Sequence, residues 1–363
     1  MRDHVSATGV PFNETAAEAS AAILSRRHAI AQAAVEHEFA RRADASGQGG
    51  TRAREKSLQD ALHHLAFLAQ SLALDSAVFF DDYLAWVKIV LARRGGGDLA
   101  VELHCLGDAV QDHLAPGHAK AAARMIQAGV ARLPEMPDDV PTFIDAARPH
   151  GALARRYLEA LLRADRGQAA REIHDALAAG VPLEAVYLDV FAASQREVGR
   201  LWQVNEISVA QEHFCTAATQ LIMSQSWPAI PRGPRRGTLV AACVEGDLHE
   251  LGLRMVADFF EMAGWQTLYL GANTPHRGVA ETVVASHAGV LAISASIGFH
   301  VGAVEELIAE VRATPGCERV RVLVGGHPFN VDSTLWRRVG ADAHAADAKA
   351  AIAFAASLDG ELA

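Results

Sequence analysis

The densest potential for chemistry lies in the run Asp247-Leu248-His249-Glu250-Leu251-Gly252, an Asp-x-His-x-x-Gly pattern that directly follows an apolar, β-rich stretch. A histidine in an exposed loop presents one ring nitrogen to a metal, and a carboxylate two residues earlier accepts a hydrogen bond from the other nitrogen and fixes the tautomer. In this arrangement His249 coordinates and Asp247 orients. Gly252 leaves the start of the next helix without a side chain, so a bulky group can approach the backbone. Zinc fits poorly, because no second His or Cys lies nearby at ligand spacing. Two further sets deserve the same scrutiny: Ser294-Ala295-Ser296 with Gly325-Gly326, and Trp202 with Glu212-His213.

The elements that must position these residues have two textures that meet near residue 236. Before it, Ala, Leu, Arg and Glu recur at helical spacing; after it, short β-rich runs alternate with amphipathic stretches. Strands are expected at 238–244, 267–270, 290–295, 321–324 and 341–345, separated by helices of crossover length. Such an order implies a parallel, doubly wound, flavodoxin-type Rossmann-like sheet whose ligand sits at the carboxyl ends of the strands. The loop holding His249 follows the first of these strands.

The helical part divides again where Pro134, Pro137, Pro141 and Pro149 interrupt helices. Ahead of that stretch, Leu58, Leu62, Leu65 and Leu72 mark one helix face. Phe79, Tyr83, Trp86, Val87 and Val90 mark another, ending at Gly95-Gly96-Gly97. Residues 152–227 offer about four helices, a small bundle, and Pro228, Pro231 and Pro234 read as a linker. Within the bundle, 183–202 is helical, and Ser208 with Gln211 forms a capping box that starts the next helix. The resulting hairpin brings Trp202 level with Glu212 and His213.

The whole chain is thus expected to be multidomain, α followed by α/β: a helical domain over 1–148, a four-helix cap over 150–230, and the Rossmann-like domain over 236–363. A net charge of -10 over 363 residues argues against a nucleic-acid face. The longest apolar runs fall short of a membrane span, and no signal stretch opens the chain. Cys105, Cys215, Cys243 and Cys317 show no paired metal-ligand spacing and read as reduced, buried thiols; a cytoplasmic location is expected.

The Asp-x-His-x-x-Gly loop resembles the cobalamin-binding domain of methionine synthase, corrinoid methyl carriers and isomerases. That resemblance implies that His249 replaces the cofactor's own benzimidazole beneath cobalt. It also implies that Ser294, Ser296, Gly325 and Gly326 line the slot for the displaced nucleotide tail, although Ser296 stands where the family carries Leu. Trp202 with Glu212-His213 resembles the light-sensing cobalamin repressors, in which the Trp and Glu contact the adenosyl group above cobalt. Methyl-carrier caps instead place Phe and Gly where this chain has Trp202 and Asn205.

The implied function is an adenosylcobalamin photoreceptor: light cleaves the cobalt–carbon bond and the helical cap shifts. The alternative is a corrinoid methyl carrier of a cobalamin-dependent methyltransferase system. The photoreceptor is a sensor and binding protein rather than an enzyme, whereas the carrier would be an enzyme component. Gln203 departs from the repressor pattern, which has a His that captures cobalt after photolysis, and leaves His213 as a substitute. The repressors' basic helix-turn-helix is also missing from residues 1–150. That region, with His63-His64, Phe79-Phe80, Tyr83 and Trp86, resembles instead the globin-like domain of photocobilins, which pair cobalamin with a linear tetrapyrrole. Biliverdin is the implied pigment, with His63, His64, His104 and Cys105 as candidate contacts. A downstream signalling protein of unknown identity and a homo-oligomer complete the implied partners; neither nucleic acid nor membrane is among them.

Overall fold

The computed structural model describes residues 14–43, 50–94, 97–230 and 236–358. Gly95, Gly96, Pro231 and Pro234 lie outside the described residues. The chain forms two compact units, 1–140 and 141–363, each with its own core.

In the first unit five α-helices are described: α1 (Glu14–Ala43), α2 (Thr51–Ala73), α3 (Ala77–Arg94), α4 (Leu99–His113) and α5 (Pro116–Arg132). Pro116 opens α5, where its missing N–H costs nothing, and Asp98 caps α4 by accepting from Ala100 and Val101. Ile23, Ile30, Leu65, Leu68, Phe80, Leu84 and Leu103 fill the core between them. Gly129 of α5 lies so close to α3 that a Cβ would fall 2.6 Å from Leu84 Cδ1. The expected faces of α2 and α3 are therefore core-facing, although Trp86 stays 38% exposed.

The second unit opens with α6 (Gly151–Leu162) and α7 (Arg166–Ala178). Its third helix is composite: a turn α8 (Leu183–Ala185), a π-helical turn Val186–Phe191, and α9 (Ala192–Gln203). Asn205, at φ 61°, turns the chain back, and α10 (Val209–Ser226) starts with the expected Ser208/Gln211 capping box. Tyr157, Tyr187, Val190, Phe191 and Ile222 are fully buried in this four-helix bundle.

The remainder alternates β1 (Thr238–Cys243), α11 (Leu251–Met262), β2 (Gln266–Gly271), α12 (His276–Ser286), β3 (Val290–Ser294), α13 (Val301–Ala313) and β4 (Arg321–Gly325). It closes with α14 (His327–Val331), α15 (Leu335–Arg338), β5 (Ala343–His344) and α16 (Ala348–Ser357). All strand pairs are parallel, in the order β2-β1-β3-β4-β5. Every residue of β3 is buried, as a strand covered by helices on both faces requires. The order reverses between β1 and β3, the switch point at which doubly wound sheets bind ligands. The loop after β1 carries His249, and the loop after β3 carries Ser296.

Bundle and sheet share one core, in which Leu251, Met255 and Phe259 of α11 pack with Tyr187 and Phe191. Polar ties cross the same boundary: Tyr187 Oη donates to Asp258 Oδ2 at 2.7 Å, and Arg254 Nε to Asp258 Oδ1 at 3.1 Å. Burial raises the Asp258 carboxyl above its usual value even with these donors.

Candidate functional site

At the end of β1 the chain turns through Gly246, at φ +87°, and Asp247 points inward with no exposed surface. Its carboxylate organises the loop. Oδ1 accepts from the His249 backbone N–H at 2.9 Å and faces His249 Nδ1 at 3.0 Å. Oδ2 accepts from the Ser296 backbone N–H at 2.6 Å and lies 3.5 Å from His300 Nδ1. Burial alone would raise this carboxyl, but the His249 ring and backbone, Ser296 N–H and His300 outweigh it and hold the value at about 2. Asn273 braces the turn, its Oδ1 accepting from Gly246 N at 2.8 Å and its backbone N donating to Asp247 O at 2.9 Å.

His249 is the converse case, with a side chain 70% exposed beside a fully buried partner. The hydrogen bond to Asp247 raises its basicity, burial works against that, and the charges of Asp247 and Glu212 add to the rise. With Nδ1 engaged by a carboxylate, Nε2 is the free donor, and a more basic imidazole is a better metal ligand. Among the described residues, no group of three or more His, Cys, Asp and Glu could hold a metal ion. Leu248, 73% exposed, and Ile297 and Phe299 offer apolar surface in the two loops at the switch point. A Cβ added at Gly252, in the first turn of α11, would meet nothing within 4 Å.

Ser294 ends β3, and Ser296 Oγ lies 3.4 Å from the His249 carbonyl. Gly325 ends β4, and Gly326 has φ +103°, where a Cβ would fall 2.0 Å from Ala295 O. No other residue fits at 326 without displacing the end of β3. These four residues thus flank the same end of the sheet as His249.

The cap contributes Trp202, 42% exposed near the end of α9, and Glu212 and His213 in the first turn of α10. His213 Nδ1 bonds to Glu212 Oε2, and Glu212 Oε1 lies 3.0 Å from Thr216 Oγ1. A chain of polar contacts continues inward from Thr216 to Gln195 at 3.1 Å, on to Thr219 at 2.8 Å, and to Tyr157 at 2.8 Å. The negative charge of Glu212 adds to the rise in His249 basicity.

The residues named for the first unit lie in different surroundings. His64 is buried, its Nδ1 2.8 Å from Tyr83 Oη and its Nε2 3.4 Å from Glu102 Oε2, and it lines a cavity with Glu38, Asp60 and Glu102. His63 and His104 are exposed, and His104 Nδ1 bonds to Ala100 O. Cys105 is buried with its sulfur 3.1 Å from Arg41 Nη1, and burial raises its thiol.

Sequence reasoning missed His300, Asn273 and the Glu212-to-Tyr157 chain. His300 sits in the turn that leads into α13, and its Nδ1 is buried without a hydrogen-bond partner. No spacing rule links it to Asp247; only the closeness of β1 and β3 does. Glu250, also passed over, accepts from Gln220, Tyr269 and Ala272 N.

Comparison with known families agrees with this geometry. Residues 237–353 match a family described as "B12 binding domain", and residues 153–225 match a second family of the same description. Residues 153–225 and 237–353 thus form the helical cap and Rossmann-like parallel sheet of a cobalamin-binding protein. Its relatives are corrinoid proteins. Dimethylamine corrinoid protein 2 of Methanosarcina acetivorans is 27% identical over 173 residues, covering 46% of this chain and 78% of that protein. Trimethylamine corrinoid protein of Methanosarcina barkeri is 27% identical over 204 residues, covering 54% and 91%. The solved monomethylamine corrinoid protein of Methanosarcina barkeri shares the fold, with a TM-score of 0.52 at 23% identity, over 58% of this chain and 100% of its own. Among the described residues no helix is long and apolar enough to cross a membrane.

Proposed function

We propose that the second unit holds cobalamin with His249 as the lower axial ligand to cobalt, and that the chain serves as the corrinoid carrier of a methyltransferase system. The observation that carries this reading is the pairing of an exposed His249 with a fully buried Asp247 at the switch point of the sheet. Bound there, the corrinoid supplies a cobalt–carbon bond that is made and broken; the protein binds, orients and shields it. Asp247 holds the His249 tautomer, and the backbone N–H of Ser296 holds Asp247. Ser294, Ser296, Gly325 and Gly326 flank the slot for the nucleotide tail, and Gly252 leaves room beside it. The relatives, named as methylamine corrinoid proteins, support the carrier role, and with it methyltransferase partners.

One observation favours a second reading. Trp202 stands exposed on the cap, with Glu212 and His213 on the adjoining helix, and this set resembles the residues that cover adenosyl groups in light-sensing cobalamin proteins. It supports an adenosylcobalamin photoreceptor whose cap shifts on illumination and acts on a signalling partner. A biliverdin site in the first unit gains no such support. The cavity at His64 has room for about one water molecule, far short of the roughly 300–1,000 Å³ of small-molecule sites. Its carboxylates Glu38, Asp60 and Glu102 would also repel the pigment's propionates. The globin-like comparison for residues 1–148 rests on helical texture and domain order.

Because light cleaves any alkyl–cobalt bond, absorbance alone does not separate the two uses. The test loads the protein with methylcobalamin or adenosylcobalamin and measures affinity, methyl exchange with a methyltransferase, and sedimentation before and after green light. A carrier exchanges methyl groups in the dark and sediments unchanged. A photoreceptor prefers the adenosyl form and changes its sedimentation only after light.

A further inference from the structure

Helix α10 touches both sides of the site. Its first turn carries Glu212 and His213; two turns later Gln220 Nε2 donates to Glu250 Oε1 at 2.7 Å. Glu250 directly follows His249 in the ligand loop. Although it is the N-cap residue of α11, its side chain makes no capping bond. The carboxylate turns sideways instead, where Oε2 accepts from Tyr269 Oη at 3.0 Å and from the Ala272 backbone N–H at 3.0 Å. The approach depends on Gly271, at φ +82°, because a Cβ there would fall 2.9 Å from Glu250 Oε2. Tyr269 adds a contact of 3.3 Å to the Glu250 carbonyl. The loop that presents His249 is thus tied on one side to β2 and on the other to the cap.

We propose that Gln220 is a positioning residue for His249, acting through Glu250, so that presentation of the lower ligand depends on where α10 sits. The inference rests on the reading that His249 coordinates cobalt. Gln220 touches neither His249 nor Asp247; its effect runs through one carboxylate held on three sides. A shift of α10 driven from the Trp202 and Glu212 face removes one of those three supports. The two faces of the cofactor then communicate along one helix.

The test uses the full chain loaded with cob(II)alamin and reads, by electron paramagnetic resonance, the share of cobalt that carries a protein imidazole nitrogen. Gln220→Glu sets a carboxylate against Glu250. It should raise the ratio of imidazole-free to imidazole-bound cobalt by about tenfold, the loss expected for one charge-assisted hydrogen bond. Gln220→Leu, which removes the donor without adding charge, should move the ratio the same way. Combining Gln220→Glu with Glu250→Gln restores a donor and acceptor at every point: the introduced amide oxygen accepts from Tyr269 and Ala272 while its NH2 donates to the introduced carboxylate. This double variant should return to the wild-type ratio, a recovery that also guards against a folding defect in the single variants. Wild-type ratios in both single variants, or a double variant no better than Gln220→Glu, would overturn the link. A wild-type protein with no protein nitrogen on cobalt would overturn the ligand reading itself, and the link with it.

Discussion

Replacing Asp247 with Asn keeps the shape of the side chain and removes its charge, which isolates what the carboxylate does. In the wild type, Oδ1 accepts from His249 N and faces His249 Nδ1, while Oδ2 accepts from Ser296 N at 2.6 Å. An amide has one accepting oxygen, so its NH2 must face either the Ser296 N–H or the His249 pair. One charge-assisted bond disappears and a buried N–H is left facing another donor, which costs about 2–3 kcal/mol. The cofactor-free protein should lose that much stability in urea titration. Cobalamin binding should suffer separately, because the imidazole loses the partner that fixes its tautomer and raises its basicity; outer-shell losses of this kind cost roughly 10–100-fold in metal affinity. Equilibrium binding of cobalamin, monitored by absorbance, measures the second effect. A stability loss under about 0.5 kcal/mol together with an affinity within about twofold of wild type would refute the reasoning, since among the described residues no other carboxylate is hydrogen-bonded to the His249 ring.

Trp202→Ala should cut any preference for adenosylcobalamin over methylcobalamin by about tenfold, with Trp202→Phe retaining part of it; unchanged relative affinities would remove Trp202 from the upper face. Gly326→Ala forces a Cβ toward Ala295 O at a positive φ and should destabilise the fold by about 3 kcal/mol, read from chemical denaturation; a loss under about 0.5 kcal/mol would contradict the close approach. Glu197, buried and held by Arg200 and the Phe143 N–H, has its carboxyl lowered from 4.5 although burial opposes this. A lowered carboxyl contributes stability above its unfolded value and loses it as the pH falls through the folded one. Stability below about pH 4.5 should therefore drop less steeply in Glu197→Gln, and parallel profiles would disprove the assignment.

Much of the second unit was legible in the sequence because its signals are local. Apolar β-rich runs marked all five strands, and Ser208 with Gln211 announced the start of α10. The Asp-x-His-x-x-Gly run placed His249 and Asp247 in one turn, since a contact two residues apart needs no knowledge of topology. What remained hidden is non-local. His300 reaches Asp247 only because β3 lies beside β1, and Gln220 reaches Glu250 only because the bundle packs on α11. The π-helical turn at Val186–Phe191 left no mark either, since its apolar residues suit an ordinary helix equally well. In the first unit, composition marked helices and their faces but could not say which histidines point inward. Adjacent His63 and His64 fall on different sides of α2, one exposed and one buried.

The central claim is that His249 binds cobalt, and nitrogen isotopes test it most directly. Protein loaded with cob(II)alamin is compared, by electron paramagnetic resonance, in its ordinary form and with ¹⁵N-labelled histidine, alongside His249→Ala. Coordination by His249 predicts a nitrogen splitting that changes from triplet to doublet on labelling and is lost in the variant. A triplet that survives labelling in the wild type would show that the cofactor keeps its own base and that His249 is not its ligand, as would a doublet that persists in labelled His249→Ala.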